Sequence, residues 1–339
     1  MSEPDGGFNN DGEPEVRLEP AAYPEAQPQK LTAAPSFALE AKRSNFGLDK
    51  LTLAWRALLY LFLTVIIAPQ AVFSLATDLF GRQRGSPHTE FLLFIEVVNF
   101  ALIVGVTLLL SYIERTPWNS YGLPWNQAFN ANFWVGMLLG LAEASVVIGL
   151  IELFGGFSLE GWALRGSAII GWGLFHFVLF VFVGLYEEFL FRGYPQLTMT
   201  KLMGFWPAAV LLSLGFGLVH LSNPGENWVG AASVALVGLL FAFTLKRSGN
   251  LWYAVGLHAG FDWAQSFLYS VPDSGELLRG HLWNSSLHGP DWLTGGTVGP
   301  EGSVFCFLTT MLQFLVVLWL FPSNKRKSVA EAPAPAESD

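Results

Sequence analysis

The side chains best suited to chemistry lie near the end of an apolar stretch at 168–191. Two adjacent carboxylates, Glu187 and Glu188, are followed by Arg192. Successive helix residues point about 100° apart, so Glu188 and Arg192, four apart, share a face and can form an ion pair. Glu187 points elsewhere, and a carboxylate without a counter-ion in apolar surroundings suits a general base that activates water. A structural ion network of all three residues is the alternative interpretation.

Two further pairs have the same helical spacing. Phe216 precedes His220 by four residues, and His258 precedes Asp262 by four. An aspartate one turn from a histidine can accept the imidazole N–H and fix its tautomer, or both side chains can ligate one metal ion. A lone histidine in a membrane helix more commonly serves packing or hydrogen bonding. Two of them, together with a glutamate pair, indicate a shared site.

Composition predicts the elements that position these residues. The chain has 339 residues, of which 52% are hydrophobic and 13% are charged, and its mean hydropathy is +0.42. This is too apolar for a soluble domain. A charge at the centre of a lipid-embedded helix costs about 2.5–3.5 kcal/mol, so such charges indicate function. We predict an all-α, polytopic membrane helix bundle of about eight transmembrane helices, since a membrane helix needs ~20 residues. The eight apolar runs are 57–77, 91–113, 133–154, 168–191, 205–221, 229–245, 251–270 and 304–321.

Basic residues predict the orientation of this bundle, because Lys and Arg concentrate on cytoplasmic flanks. With both termini inside, twelve basic residues lie on inner flanks and four on outer flanks. The inner set is Lys42, Arg43, Lys50, Arg56, Arg115, Arg192, Lys201, Lys246, Arg247, Lys325, Arg326 and Lys327. The outer set is Arg82, Arg84, Arg165 and Arg279. We therefore expect an N-in, C-in, multi-pass integral membrane protein, located in the plasma membrane.

The chain divides into three segments by composition. Residues 1–50 carry nine acidic and five basic residues among Pro and Ala, and we predict a disordered acidic cytoplasmic tail. Residues 51–322 form the predicted transmembrane bundle, and 323–339 a short cytoplasmic tail that is basic and then acidic. Within the bundle, 271–302 is rich in Gly, Pro, Trp and His, and we expect it to cap the outer face. The single cysteine, Cys306, provides no disulfide framework.

Other polar residues in the apolar runs are predicted to be structural. Glu96 and Asn99 lie three apart in the second run, and Glu143 and Glu152 lie in the third. We expect interhelical hydrogen bonds from them, with an extension of the active cavity as the alternative. His176 lies three turns before the glutamate pair, too far along the helix axis for direct chemistry there.

Taken together, the three motifs resemble those of the CPBP intramembrane proteases, a family that includes type 2 CAAX prenyl proteases and Abi-like bacteriocin-processing and immunity proteins. Its signatures are EExxxR, FxxxH and HxxxN/D, in that order on separate helices. This chain has EEFLFR at 187–192, FGLVH at 216–220 and HAGFD at 258–262. The resemblance covers about 166–270, the predicted protease core, and says nothing of the first three predicted helices, the last one or the tails.

The resemblance implies roles for the motif residues. Glu187 would activate the attacking water with His220, while His258 and Asp262 line the same cavity. The implied catalytic set is Glu187, Glu188, Arg192, His220, His258 and Asp262. Relatives are described either as metalloproteases or as metal-independent glutamate-dependent proteases, and the sequence does not choose between them. If a metal is used, the expected ligands of Zn²⁺ or another divalent ion are Glu187, His220 and His258.

The end of the third motif departs from some relatives. Those relatives carry Asn, which can donate a hydrogen bond to an oxyanion, where this chain carries Asp262. An ionised carboxylate only accepts hydrogen bonds. Asp262 is therefore better suited to orient His258 or to bind a metal than to stabilise an oxyanion directly.

The predicted function is that of an intramembrane endopeptidase. It would hydrolyse a peptide bond of a membrane-associated peptide or protein, with the lipid bilayer as its surroundings and without a nucleic-acid partner. Two alternatives stay open. One is a catalytically silent immunity or binding protein with the same fold. The other is a proton-coupled transporter, because Glu and His in a helix bundle also form proton relays.

Overall fold

The computed structural model describes residues 47–81 and 89–322, with the backbone alone for 47–50. The predicted tail 323–339 and most of the predicted disordered tail 1–50 lie outside the described residues, while 47–50 are the helical start of α1. The α-helices of the described part are α1 (Gly47–Leu61), α2 (Ala68–Phe80), α3 (Thr89–Glu114), α4 (Ala131–Leu153), α5 (Ser167–Arg192), α6 (Tyr194–Met203), α7 (Phe205–His220), α8 (Trp228–Ser248), α9 (Trp252–Trp263), α10 (Asp291–Thr294) and α11 (Val304–Leu320). The strands are β1 (Phe157–Trp162) and β2 (Trp283–Leu287), and π-helical turns follow α1 at Phe62–Ile67 and α9 at Ala264–Leu268.

The predicted class, a helical membrane protein, is confirmed. Each of the eight predicted apolar runs coincides with a helical stretch. Helices α7 and α11 have 16 and 17 residues. At ~1.5 Å per residue they are shorter than a ~30 Å hydrocarbon core. The count of eight and the orientation therefore stay predictions. In the described part of the chain, five stretches are long and apolar enough to cross a membrane: Leu51–Phe80, Thr89–Glu114, Ala131–Leu153, Ser167–Met203 and Trp228–Ser248.

Polar side chains fix where three of the helices begin. Asn130 accepts hydrogen bonds from two backbone N–H groups at the start of α4, and Asn227 does the same at the start of α8. Ser303 accepts one at the start of α11. The first N–H groups of a helix lack partners within the helix, and such caps satisfy them. The cap at Asn227 therefore sets the start of α8 close after the end of α7.

Helices α4 and α9 pack backbone against backbone. A Cβ atom on Gly136 or Gly140 of α4 would overlap a backbone oxygen of α9. A Cβ on Gly256 or Gly260 of α9 would overlap a backbone oxygen of α4. Small residues four apart on both helices are what lets membrane helices approach this closely. This contact fixes the position of α9, and with it the position of His258.

A short helix, α6, connects the helix of Glu187 to the helix of His220. The backbone leaves helical geometry at Gly193, where ψ is −115°, so α6 is a separate helix after α5. Helix α6 packs against α1 and α7, and Gly204 separates it from α7. The packing of these helices brings His220 to Glu187 although many residues of the chain separate them.

Residues 269–303 form a segment that we call the cap. Its strand β2 pairs antiparallel with β1, from Phe157 opposite Leu287 to Trp162 opposite Trp283. The two Trp rings lie 3.7 Å apart, centroid to centroid. The side chain of Gln265 donates a hydrogen bond to the carbonyl of Pro272, 2.9 Å away. The cap is thus held both by the two-stranded sheet and by the end of the helical stretch that carries His258.

Candidate active site

Glu188 and Arg192 form a buried ion pair. Arg192 Nη1 donates to Glu188 Oε1 at 3.3 Å, and the two side chains are 1% and 0% exposed. The guanidinium also lies over the ring of Phe216, 4.3 Å from its centroid, in a cation–π contact. Gly238 of α8 makes room for it, since a Cβ there would overlap Arg192 Nη2. The four-residue spacing therefore pairs these residues as expected, and α7 and α8 complete the surroundings.

His220 is oriented by its own helix. Its Nδ1 lies 2.8 Å from the backbone oxygen of Phe216, one turn earlier. Because a carbonyl oxygen only accepts, Nδ1 must carry the proton, and the Nε2 of the neutral ring is left with a lone pair. That Nε2 lies 3.8 Å from Glu187 Oε2. Phe216 thus contacts residues of two motifs: its carbonyl holds His220, and its ring holds Arg192.

His258 faces three carboxylates. Its Nδ1 lies 3.2 Å from Glu188 Oε1. Its Nε2 lies 3.4 Å from Asp262 Oδ2 and 3.7 Å from Glu187 Oε2. The ring stacks on Phe241 of α8 at 5.2 Å between centroids. An imidazolium, with N–H groups on both nitrogens, can donate to Glu188 on one side and to Asp262 or Glu187 on the other.

Glu187 is the carboxylate that Arg192 leaves unpaired. Its side chain is 22% exposed, against 0% for Glu188. It lines a cavity of about 230 Å³ together with His220 and His258. The structure therefore brings together all six residues of the implied catalytic set. Their catalytic roles stay predictions.

The same cavity is lined by further acids. Glu96 of α3 lines it, in line with the extended cavity that we gave as the alternative to an interhelical hydrogen bond. From the cap come Asp273, Glu276 and Glu301. The signal that could have found the cap acids is weak: carboxylates in an irregular segment between two apolar runs. Three of the lining acids thus belong to the cap, and its predicted position over the outer face stays a prediction.

The cap acids are held by nearby hydroxyl and backbone groups. Ser266 Oγ donates to Asp273 Oδ2 at 2.9 Å, and Ser274 donates to Glu301 Oε2 through its N–H and its hydroxyl, at 3.1 and 2.9 Å. Burial raises the pKa of Asp273 and of Glu301 well above the usual range of a carboxyl group. The charge of Asp262 raises the pKa of Asp273 further. These acids therefore release a proton reluctantly unless a positive charge lies near them.

A zinc ion at the predicted ligands would need closer spacing. Tetrahedral ligand atoms at ~2.0–2.1 Å from zinc lie about 3.4 Å apart. Glu187 Oε2 lies 3.8 and 3.7 Å from the Nε2 atoms of His220 and His258. Within residues 47–81 and 89–322, the set whose ligand atoms all lie within 4.8 Å of one another is Asp262, Asp273 and Glu301. The predicted ligands Glu187, His220 and His258 have donor atoms that suit zinc, but they are not drawn together as they would be around a bound ion. Metal use therefore stays a prediction.

A second pocket, of about 60 Å³, also borders the two histidines. Aliphatic and aromatic side chains of α7, α8 and α9 form much of its wall, and Glu143 of α4 and Glu301 of the cap also line it. His220, His258, Asp262, Ser274 and Glu301 line both this pocket and the acidic cavity. The two histidines are therefore accessible from a largely apolar pocket and from an acidic cavity.

Of the residues expected to be structural, His176 and Glu143 make such contacts. His176 is fully buried, and its Nε2 lies 2.9 Å from the backbone oxygen of Arg279 in the cap. Thr310 of α11 donates to Glu143 at 3.4 Å. Cys306 is buried inside the protein and lies 3.9 Å from the Ser233 hydroxyl.

Comparison with known families gives one match. Residues 170–264 match the model of the family described as type II CAAX prenyl endopeptidase, Rce1-like. The matched segment contains all three motifs and runs from α5 to the end of α9, so the resemblance drawn from the motifs is confirmed. Comparisons with curated proteins and with solved structures found no match. A membrane protease family and several apolar helices together indicate an integral membrane protein.

Proposed function

We propose that this chain hydrolyses a peptide bond next to a prenylated cysteine by glutamate-activated water. Its residues 170–264 match the family model of the Rce1-like type II CAAX prenyl endopeptidases. The observation that carries the proposal is the position of Glu187. Its Oε2 lies 3.8 Å from His220 Nε2 and 3.7 Å from His258 Nε2, at the wall of a cavity. A water molecule bridging such groups is a poised nucleophile.

In the proposed reaction, Glu187 accepts a proton from the water molecule. The Nε2 lone pair of His220 accepts a hydrogen bond from the same water and so aims its oxygen at the scissile carbonyl carbon. The new C–O bond forms as the carbonyl π electrons move to oxygen. The oxyanion then re-forms the C=O bond and the C–N bond breaks. The proton held by Glu187 passes to the leaving amine, so the same carboxyl group acts first as a base and then as an acid.

His258 is the proposed donor to the oxyanion. Its Nδ1 is engaged by Glu188 at 3.2 Å, and its Nε2 points toward the region between Glu187 and Asp262. An N–H there can donate to the oxygen that becomes negative in the tetrahedral intermediate. Asp262 would stabilise the protonated ring and hold its orientation. The anionic oxygen thus gains a donor although the chain has Asp262 where an Asn could donate directly.

The apolar pocket supports a CAAX-like substrate. Next to the two histidines it has aliphatic and aromatic side chains of α7, α8 and α9, beside a smaller number of polar groups. An aliphatic residue beside the scissile bond would bury its side chain there, at roughly 0.8 kcal/mol for each CH₂ removed from water. We also propose that the reaction does not need a metal, because Glu187 can take the proton of the water and His220 can hold the water by hydrogen bonding.

The direct test is cleavage by purified protein in lipid vesicles. The substrates are a farnesylated CAAX peptide and the same peptide without the prenyl group, each carrying a fluorophore released on cleavage. We expect Glu187→Gln to lower kcat by about 10²–10⁴-fold, the usual contribution of a general base. Glu152→Gln is the matched control, since Glu152 is exposed and lines neither cavity, and it should cleave like the wild type.

Three outcomes would change the proposal. Equal cleavage by Glu187→Gln and wild type would refute the assignment of the base. Cleavage of the unprenylated peptide alone would keep the endopeptidase and reject the prenylated substrate. Loss of activity on chelation, restored by one metal and matched by stoichiometric metal in the purified protein, would replace the metal-independent reaction.

A further inference from the structure

The cavity beside the candidate active site is strongly acidic. None of the residues that the structure shows lining it is Lys or Arg, so the two histidines are its basic groups. Its carboxylates come from α3, α5, α9 and the cap: Glu96, Glu187, Asp262, Asp273, Glu276 and Glu301. Six carboxyl groups face two imidazoles, and a bound cation would stabilise the ionised forms of those carboxyl groups.

The arrangement of these acids favours binding of a positively charged group. Oxygen atoms of Asp262, Asp273 and Glu301 all lie within 4.8 Å of one another. Independently, Glu96 Oε2 is buried and accepts no hydrogen bond from the described residues, although Glu96 lines the same cavity. Carboxylates this close disfavour each other's ionised form, and an opposite charge between them reverses that effect. A cationic group is therefore the ligand that satisfies these oxygens best.

The remaining wall of the cavity is apolar. It is formed by side chains of α3, α5 and the cap: Leu92, Leu179, Phe180, Val183 and Leu278. Lys and Arg side chains lay their methylene stems along apolar surface and place the charged head in polar surroundings. The cavity, about 230 Å³, is also far larger than a single ion or water molecule requires. An acidic end and an apolar side thus fit an extended basic side chain better than a bare metal ion.

We propose that the acidic cavity binds a Lys or Arg side chain of the substrate, close to the scissile bond, through Asp273, Glu276 and Glu301 of the cap. This inference rests on the proposed function. Asp262 Oδ2 lies 3.4 Å from His258 Nε2, so the acidic cluster begins beside the reacting groups. With 3.8 Å between successive Cα atoms, the basic residue lies within about three positions of the scissile bond.

The test compares peptides that differ in one side chain. Membrane-anchored peptides carry Arg or citrulline, which have nearly the same shape but differ in charge, at each of three positions on either side of the scissile bond. At one position we expect the wild type to favour Arg on the order of tenfold in kcat/KM, as a charge-assisted contact would produce. A ratio of one at every position overturns the inference.

The first variant is Glu276→Gln, because no described residue donates a hydrogen bond to that carboxylate and folding should be least affected. We expect it to lower the Arg-to-citrulline ratio several-fold. Glu276→Arg should go further and favour a peptide with Glu at the same position, a reversal that a merely structural role would not produce. Glu160→Gln is the control: Glu160 is an exposed acid on β1 that does not line the cavity, and it should keep the wild-type ratio.

Two further results separate this inference from its alternatives. If the purified protein holds a stoichiometric divalent metal that Glu301→Gln loses, and the peptide ratio is one, the cavity is a metal site and the inference is wrong. If no peptide is cleaved, the proposed function fails, and binding of the same fluorescent peptides to wild-type protein in vesicles decides the inference. Tighter binding of the Arg peptide that Glu276→Gln abolishes would support it, and equal binding of both peptides would refute it.

Discussion

Removing Arg192 should destabilise the protein more than removing any exposed cation. The Arg192 and Glu188 side chains are 1% and 0% exposed, and their ion pair is 3.3 Å long. Arg192→Met leaves the Glu188 carboxylate buried without its strongest partner. Breaking a buried pair from one side costs about 3–5 kcal/mol. The lost cation–π contact with Phe216 adds roughly 0.5–2 kcal/mol.

The double variant Arg192→Met/Glu188→Gln should recover much of that loss. It removes both charges, so no isolated buried charge is left, and the Gln oxygen still accepts the His258 N–H. We expect the two substitutions to be non-additive by 1 kcal/mol or more, within the ~0.5–3 kcal/mol typical of contacting residues. The assay is reversible unfolding of the purified protein in detergent, measured for the wild type, both single variants and the double variant.

A second ion pair provides the matched control. Arg56 and Glu114 are also 3.3 Å apart, but the Arg56 side chain is 42% exposed. Exposed pairs contribute about 0–1 kcal/mol, so Arg56→Met should have a small effect. Equal effects of Arg56→Met and Arg192→Met, or strict additivity in the double variant, would refute the argument that burial makes the Arg192 pair important.

Three further outcomes are expected. Gly256→Ala places a Cβ on a backbone oxygen of α4 and should destabilise the protein by about 1–3 kcal/mol. Gly171→Ala, whose Cβ would meet nothing within 4 Å, is the control and should not shift the unfolding midpoint. Equal shifts of the midpoint in the two variants would contradict the close packing of α4 and α9. Asp262→Asn should lower kcat on the order of tenfold with little change in KM, because the amide stabilises a protonated His258 less well, and an unchanged kcat would argue against that role. Burial raises the pKa of Glu301 in the folded protein, so the contribution of this carboxyl group to the free energy of unfolding is complete below its unfolded pKa of about 4.3 and is lost as the pH rises above that value. The thermal unfolding midpoint should therefore fall less steeply between pH 5 and 8 in Glu301→Gln than in the wild type. The same dependence of the midpoint on pH in both proteins would count against this role.

The local half of the candidate site could be predicted because helical spacing is a property of the sequence. Residues four apart on one helix are neighbours wherever the helix lies. Glu188 and Arg192 accordingly meet at 3.3 Å, and His258 and Asp262 at 3.4 Å. The same spacing correctly separates Glu187 from the ion pair, since adjacent helix residues point in different directions.

The other half depends on long-range folding that no local pattern encodes. Asp273 and Glu301 lie 28 positions apart in an irregular segment, and their approach to Asp262 depends on how the cap folds back over α9. Glu96 lies in an apolar run whose periodicity does not show which face meets α5. The approach of His220 to within 3.8 Å of Glu187 likewise depends on how α5, α6 and α7 pack together.

Side chains of the three motifs form one chain of contacts that does not include Glu187. The carbonyl of Phe216 holds His220, its ring carries the guanidinium of Arg192, Arg192 pairs with Glu188, and Glu188 accepts from His258. Each imidazole is thereby oriented by a group that is itself fixed by burial. Such an arrangement places both Nε2 atoms without using Glu187 as a support. Because Glu187 is not needed to hold either ring, its carboxylate is left available to take a proton from water.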